Sequence, residues 1–303
     1  MQYDYSILVP VYNSSDTIIQ LVDKTVELFQ ELKYAYEIIL VDDGSENQTW
    51  EILKSIKQKH PQTIKCIRLN KNYGQHNALF CGMMHANANF VVTLDDDMQV
   101  HPIEIKKLIE KQKAKNADVV YGNYNKKQHS FLRNLGSWYI KVSGKFFSNY
   151  TEKGSSFRLI SNELIKKFKE YPSNFVFIDE LIFWYATNIQ YQDVNHFPQK
   201  KSRYTFLKLV KLTFKIVYNY TDVPLKMMVY GGMFSSLVCL IIGLYFIYRK
   251  ITHNVPLGYT SLIVAILFST SILLFSIGII GEYLKRIIAV QNKKPPFTIK
   301  EII

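Results

Sequence analysis

Short apolar runs alternate with helical stretches from Tyr5 to Tyr121, and this alternation restricts the fold more than any other property of the chain. Tyr5–Val11, Glu37–Val41, Ile64–Leu69, Asn89–Leu94 and Asp118–Tyr121 have the length and apolar content of buried strands. Asp16–Leu32, Thr49–Lys59, Gln75–Ala86 and Pro102–Lys115 between them read as helices. Such a series builds a mostly parallel sheet with helices on both faces, an α/β fold. Ligands of these sheets bind beyond the carboxyl ends of the strands. Asn13, Asp42, Asp43, Asp95 and Asp97 all fall at such ends.

The last third of the chain is of another kind. Met228–Tyr248 and Asn254–Gly281 carry no charged residue. A helix of about 20 residues matches the hydrocarbon thickness of a bilayer, so two membrane spans are expected. Seven basic residues and one acidic residue lie between Lys200 and Lys226, and Lys285, Arg286, Lys293 and Lys294 follow the second stretch. The link between the stretches carries only Arg249 and Lys250, which places both chain ends in the cytoplasm by the positive-inside rule. Within Thr205–Tyr220, Lys208, Lys211 and Lys215 share one helical face and apolar residues fill much of the rest. That pattern fits a helix lying in the headgroup layer, or one packed on the soluble part with a solvated lysine face. The expected organisation is a catalytic domain over 1–200, a basic interfacial region over 201–226, a two-helix membrane domain over 227–283 and a cytoplasmic tail over 284–303.

Composition narrows the partners. Hydrophobic residues at 48% against 20% charged exclude a globally disordered chain. The formal charge of +12 points to anionic partners. The basic residues gather beside an apolar stretch and no zinc-finger or RNA-binding motif is present, which favours a membrane surface and phosphate ligands over nucleic acid. Cys66, Cys81 and Cys239 lie far apart without a C-x-x-C, so they read as packing residues in a reducing compartment.

The acids carry the chemical signal. Strand alternation puts Asp95 and Asp97 on one side and Asp96 on the other, with Gln99 sharing the first side. Two hard carboxylates together suit Mg²⁺ or Mn²⁺ shared with a diphosphate, and Gln99 can add an oxygen ligand or a polar contact. In Asp42-Asp43-Gly44-Ser45, a carboxylate at a strand end can accept from a ribose or a base. Read alone, the same string is also a good turn and helix cap.

Val9-Pro10-Val11-Tyr12-Asn13, Val41-Asp42-Asp43-Gly44-Ser45, Asn72-Tyr73-Gly74 and Leu94-Asp95-Asp96-Asp97-Met98-Gln99 together resemble glycosyltransferase family 2. With the two uncharged stretches and Gly281-Glu282-Tyr283-Leu284-Lys285-Arg286, the chain resembles the polyprenyl-phosphate branch of that family. The resemblance implies a GT-A fold, a nucleotide-sugar donor (UDP the expected nucleotide), a polyprenyl phosphate acceptor such as undecaprenyl phosphate, and Mg²⁺ or Mn²⁺. It implies that Pro10, Tyr12, Asn13, Asp42, Asp43, Asn72, Gly74, Asp95 and Asp96 bind the nucleotide-sugar. Asp95, Asp97 and Gln99 match its metal site. Asp97, Lys71 and Arg158 match catalytic positions, Lys71 standing where the family usually has Arg. Arg158, Lys200, Lys201 and Arg203 are candidates for the acceptor phosphate. Members of the family can assemble as homo-oligomers. Ser14, Asn47, Val100-His101 and Phe197–Lys201 depart from the family pattern. Two other readings stay open: a transferase for a saccharide acceptor, with Asp179 as base, and a non-catalytic membrane scaffold on the same fold. His76 and His101 read as capping or solvated residues rather than metal ligands.

Overall fold

The computed structural model describes residues 3–14, 17–124, 155–168, 177–197, 259–291 and 295–303, with single helical positions between 230 and 252. Two compact units divide the chain: Met1–His129, Thr151–Lys201 and Asn292–Ile303 form one, and Ser130–Tyr150 with Ser202–Gln291 the other.

The first unit is built on β1 (Tyr3–Val11), α1 (Thr17–Leu32), β2 (Tyr36–Asp42), α2 (Thr49–Lys59), β3 (Ile64–Leu69), α3 (Gln75–His85) and β4 (Ala88–Thr93). A 3-10 turn at Pro102–Glu104, α4 (Ile105–Lys115), β5 (Val119–Tyr124), β6 (Arg158–Ser161), α5 (Asn162–Phe168), α6 (Ile178–Tyr185), β7 (Ile189–Val194) and β8 (Ile299–Ile302) complete it. The sheet order is β7-β5-β6-β4-β1-β2-β3-β8. β4, β1, β2 and β3 run parallel, as the alternation predicts. β6 is antiparallel to β4 and β5, and β8 is antiparallel to β3, so the sheet is mixed.

Period-two alternation assigns each strand residue to a face. Ile7, Val9, Ile38, Leu40 and Val92 pack with the buried stripe of α1, including Ile18, Leu21, Val22 and Phe29. Leu8, Ile39, Val41, Ile67 and Val91 face the other way, against Leu79 and Met83 of α3 and Leu164, Phe168 and Leu181 beyond. Burying each such Leu, Ile or Phe contributes about 1.5–3 kcal/mol. Register sets the level of the site. Val11 lies beside Asp42, and Leu8 beside Thr93, so the loops after β1, β2 and β4 leave the sheet along one rim.

Residues 284–303 hold more structure than the tail read from the sequence. In the second unit, α7 (Tyr259–Gln291) continues through 284–291, while β8 extends the sheet of the first. Leu262, Ile266, Phe268, Leu273, Phe275 and Ile277 of α7 are exposed. Among the described residues, which include only part of the side chains along α7, no helix is long and apolar enough to cross a membrane. Thr205–Tyr220, Lys200, Lys201, Arg203 and Cys239 lie outside the described residues. Cys66 and Cys81 are buried free thiols, as packing residues should be.

Candidate active site

The rim begins at β1. Asn13 adopts a left-handed backbone, φ 49°, which an asparagine accepts more readily than most residues. That turn lets its amide donate to Ser45 Oγ at 2.9 Å and its side-chain oxygen accept from Glu46 N at 3.1 Å. Ser14 accepts from Asn47 and Thr49 through its carbonyl. Two positions that depart from the family pattern, Ser14 and Asn47, therefore join the β1 and β2 loops to each other.

The two aspartates after β2 do different things. Asp42 is fully buried, and its Oδ1 accepts from Ser45 N at 3.0 Å. Arg68 Nε lies 3.3 Å from Asp42 Oδ2 at ion-pair distance but off hydrogen-bond alignment, and no described donor bonds that oxygen. Asp43 instead receives Tyr73 N at 2.7 Å and Gly74 N at 2.8 Å, one on each oxygen. Burial pushes its pKa up to about 6, against the pull of these two amides. Asp43 anchors the loop that enters α3, a role that spacing did not reveal.

Gly44 seals the same junction. Its φ is 68°, and a Cβ there would stand 2.4 Å from the Lys71 carbonyl carbon and 2.7 Å from Asn72 N. Both obstacles are backbone, so the loop itself would have to move. Gly44→Ala is expected to cost about 2 kcal/mol of stability, from strain and overpacking. It should also weaken nucleotide binding at least tenfold, because Lys71 and Asn72 shift. Denaturant unfolding and calorimetric UDP titration check the two effects separately.

The acids after β4 complete the rim. Asp95 accepts from Gln75 Nε2 at 2.7 Å and from Ser156 Oγ at 2.6 Å. Burial raises its pKa, and the neighbouring Asp97 charge adds to that, while Ser156, Arg158 and Gln75 oppose it. Asp96 turns the other way, as alternation predicts, toward the Ser14 side chain and the Tyr12 backbone. Burial, with the Asp97 and Asp95 charges behind it, holds Asp96 up to about 6. Gln99 N donates to Asp97 Oδ1 at 3.1 Å, and the Gln99 side-chain amide donates to Asp97 Oδ2. Of the two expected roles for Gln99, the structure displays the polar contact.

These side chains fit a divalent cation. Among the described residues no group of three or more His, Cys, Asp or Glu gathers as a metal cage. Mg²⁺ is usually held by one or two carboxylates together with substrate phosphates and waters. Two neighbouring carboxylates, one buried and destabilised by the charge of the other, meet that requirement, and a cation relieves their repulsion.

Arg158, a candidate phosphate ligand by resemblance, is buried. It stands opposite Thr93 in the β4–β6 register and is 1% exposed. Its Nη1 contacts Asp179 Oδ1, and its guanidinium lies 5.8 Å from the centre of the Tyr121 ring. Tyr121 Oη donates to the same Asp179 oxygen at 2.8 Å. Burial alone would lower the Arg158 pKa, but Asp179 and Tyr121 outweigh it and raise it. His76 packs on Phe177, and burial with the Arg158 charge lowers its pKa to about 4, so its ring is neutral at pH 7. His101 caps the 3-10 turn by accepting from Ile103 N. Pro10 is buried in β1, Tyr12 is exposed on the rim, and Lys71, Asn72 and Gly74 line the loop beside Asp43. The roles of Gln75 and Ser156 as donors to Asp95, and the pairing of Arg158 with Asp179 and Tyr121, were not marked by any motif spacing.

The fold is GT-A-like, a mixed α/β sheet with acids at the carboxyl ends of β2 and β4. Residues 6–182 match the model of glycosyl transferase family 2, and 223–287 match that of the GtrB C-terminal hairpin. The chain belongs to glycosyl transferase family 2. It is 31% identical to the bactoprenol glucosyl transferase of Shigella phage SfV, over 97% of each chain. It is 30% identical to the undecaprenyl-phosphate 4-deoxy-4-formamido-L-arabinose transferase of Edwardsiella ictaluri, over 98% of this chain and 94% of that one. A mycobacterial protein of known crystal structure shares the fold, with TM-score 0.50 and 14% identity over 71% of this chain and 73% of that one.

Proposed function

We propose that this chain transfers a hexosyl group from a nucleoside-diphosphate sugar to the phosphate of a polyprenyl carrier, at the cytoplasmic face of a membrane. The observation that carries the reading is the pair Asp95 and Asp97 on the rim that Asn13 and Asp42 also line. Full-length similarity to two transferases named for polyprenyl carriers supports the acceptor.

The residues divide the work as follows. Asp42 and Asn13 receive the nucleoside, Asp42 with the oxygen that no described group hydrogen-bonds. Asp95 and Asp97 would hold Mg²⁺ or Mn²⁺, which when bound supplies Lewis-acid neutralisation of the diphosphate. Gln99 fixes the Asp97 carboxylate, and Gln75 and Ser156 fix that of Asp95, so neither must reorganise during reaction. Lys71 adds a charge-assisted hydrogen bond to the leaving group. The acceptor phosphate is already anionic at neutral pH and needs no base, so positioning and a single inverting displacement suffice. An α-linked donor would give a β-linked product. Asp179, the base of the saccharide-acceptor reading, is ion-paired with Arg158, which favours the lipid phosphate. The buried Arg158 stabilises Asp95 as an anion from behind.

The acceptor enters from the basic segment. Phe197 N donates to Gln99 O at 2.8 Å, so the chain leaves the metal loop just three residues before Lys200. Lys200, Lys201 and Arg203 are assigned to the emerging phosphate, and the exposed apolar residues of α7 and the uncharged Met228–Tyr248 to the bilayer. Membranes holding the protein are incubated with labelled sugar-nucleotides and undecaprenyl phosphate, then extracted for mass analysis. A glycosylated lipid that disappears with EDTA is expected; the absence of any lipid product across the panel would overturn the reading. Reversing Lys200, Lys201 and Arg203 to Glu should lower lipid turnover by about tenfold or more while UDP affinity holds within about twofold. Equal turnover would remove the acceptor assignment.

A further inference from the structure

The strand β8 reaches the edge of the sheet from the far end of the sequence, and it meets the loop that carries Lys71. Cys66 and Ile303 exchange two backbone hydrogen bonds of 2.9 Å. Ile302 stands beside Ile67 and Glu301 beside Arg68, the arginine that faces Asp42. Asn70 N then donates to Thr298 O at 2.9 Å, one step past the end of β3. Finally the hydroxyls of Thr298 and Tyr73 share a hydrogen bond of 2.7 Å. Phe297 closes the contact edge-on to Phe80 of α3.

Tyr73 is thereby held at both ends. Asp43 fixes its backbone amide and Thr298 its hydroxyl. Its ring is the platform for Lys71, whose Nζ lies 5.3 Å from the ring centre. A lysine on an exposed loop samples many rotamers, and ordering it costs free energy at the moment a ligand binds. A fixed aromatic face beneath the ammonium narrows that sampling beforehand.

We propose that the C-terminal segment Phe297–Ile303 is a clasp on the donor loop, and that Thr298 is a positioning residue which sets Lys71 for the donor diphosphate through Tyr73. This rests on the donor reading given above for Lys71. It makes the end of the chain part of the nucleotide site, although no residue of the segment need touch the nucleotide.

The test uses full-length protein in detergent, with Thr298→Val, Thr298→Ser and Tyr73→Phe. Hydrogen exchange of residues 70–76 and calorimetric titration with UDP and Mn²⁺ are measured on each. Thr298→Val and Tyr73→Phe are each expected to speed exchange of the loop and to weaken UDP by about fivefold, the worth of one hydrogen bond. Amides of β1 should keep their wild-type rates. Thr298→Ser, which retains the hydroxyl, should behave as wild type. In a Lys71→Ala background, Thr298→Val should add no further loss of UDP affinity. Unchanged loop exchange in Thr298→Val would overturn the clasp. Faster exchange with unchanged UDP affinity would overturn the positioning role. A wild-type protein that binds no UDP would instead refute the donor reading, and loop exchange would then decide the clasp alone.

Discussion

Replacing Asp97 with alanine is expected to lower sugar transfer by about a thousandfold or more, as loss of a group that stabilises charge on the departing diphosphate should. Asp97 is one of the two acids assigned to the cation, and Gln99 donates to both of its oxygens. Asp95 by itself would leave the cation a single one of its two assigned carboxylates. Stability should change little or rise, since the substitution relieves repulsion against Asp95. Turnover at saturating Mn²⁺, alongside a denaturant melt, separates the two effects. A variant that keeps a tenth of wild-type turnover would refute the catalytic role of the pair. Asp97→Asn is expected to fall nearly as far, because an amide lacks the charge that a hard cation requires.

Breaking the Arg158–Asp179 pair is expected to cost about 3–5 kcal/mol of stability when either partner alone is replaced. Arg158 is buried beneath the rim, with its guanidinium against Tyr121 and its Nη1 on Asp179. Asp179→Leu leaves a cation without its anion, and Arg158→Met leaves the anion, among the described residues, with the Tyr121 hydroxyl. The double variant removes both charges, so its loss should be clearly smaller than the sum of the two singles. Chemical unfolding of the four proteins closes the cycle. Additive losses would mean that the two side chains do not act as a pair. Arg158→Lys restores the charge but not the planar fork, so it should recover only part of the lost stability.

Much of the first unit could be read from the chain because its information is local. β1, β2 and β4 each hold an unbroken apolar stretch, Ile7–Val11, Ile38–Val41 and Phe90–Val92, which is what a strand buried on both faces requires. The helices between them carry stripes at helical spacing, and the acids follow the strands directly. Alternation even predicts that Asp96 would part from Asp95 and Asp97. The short strands β6 and β8 gave no such signal. Four residues are too few for a period, and pairing against the direction of the neighbouring strand depends on partners far along the chain.

The amino-acid sequence alone therefore determined the alternating α/β core and the level at which Asn13, Asp42, Asp43, Asp95 and Asp97 emerge, because strand length and two-residue alternation are properties of adjacent residues. Only the tertiary structure decided that Asp43 holds the loop that enters α3, that Arg158 is paired inside the protein with Asp179, and that Thr298 reaches Tyr73. Those contacts join residues 21 to 225 positions apart, and their geometry is set by the packing of strands and helices rather than by any spacing along the chain.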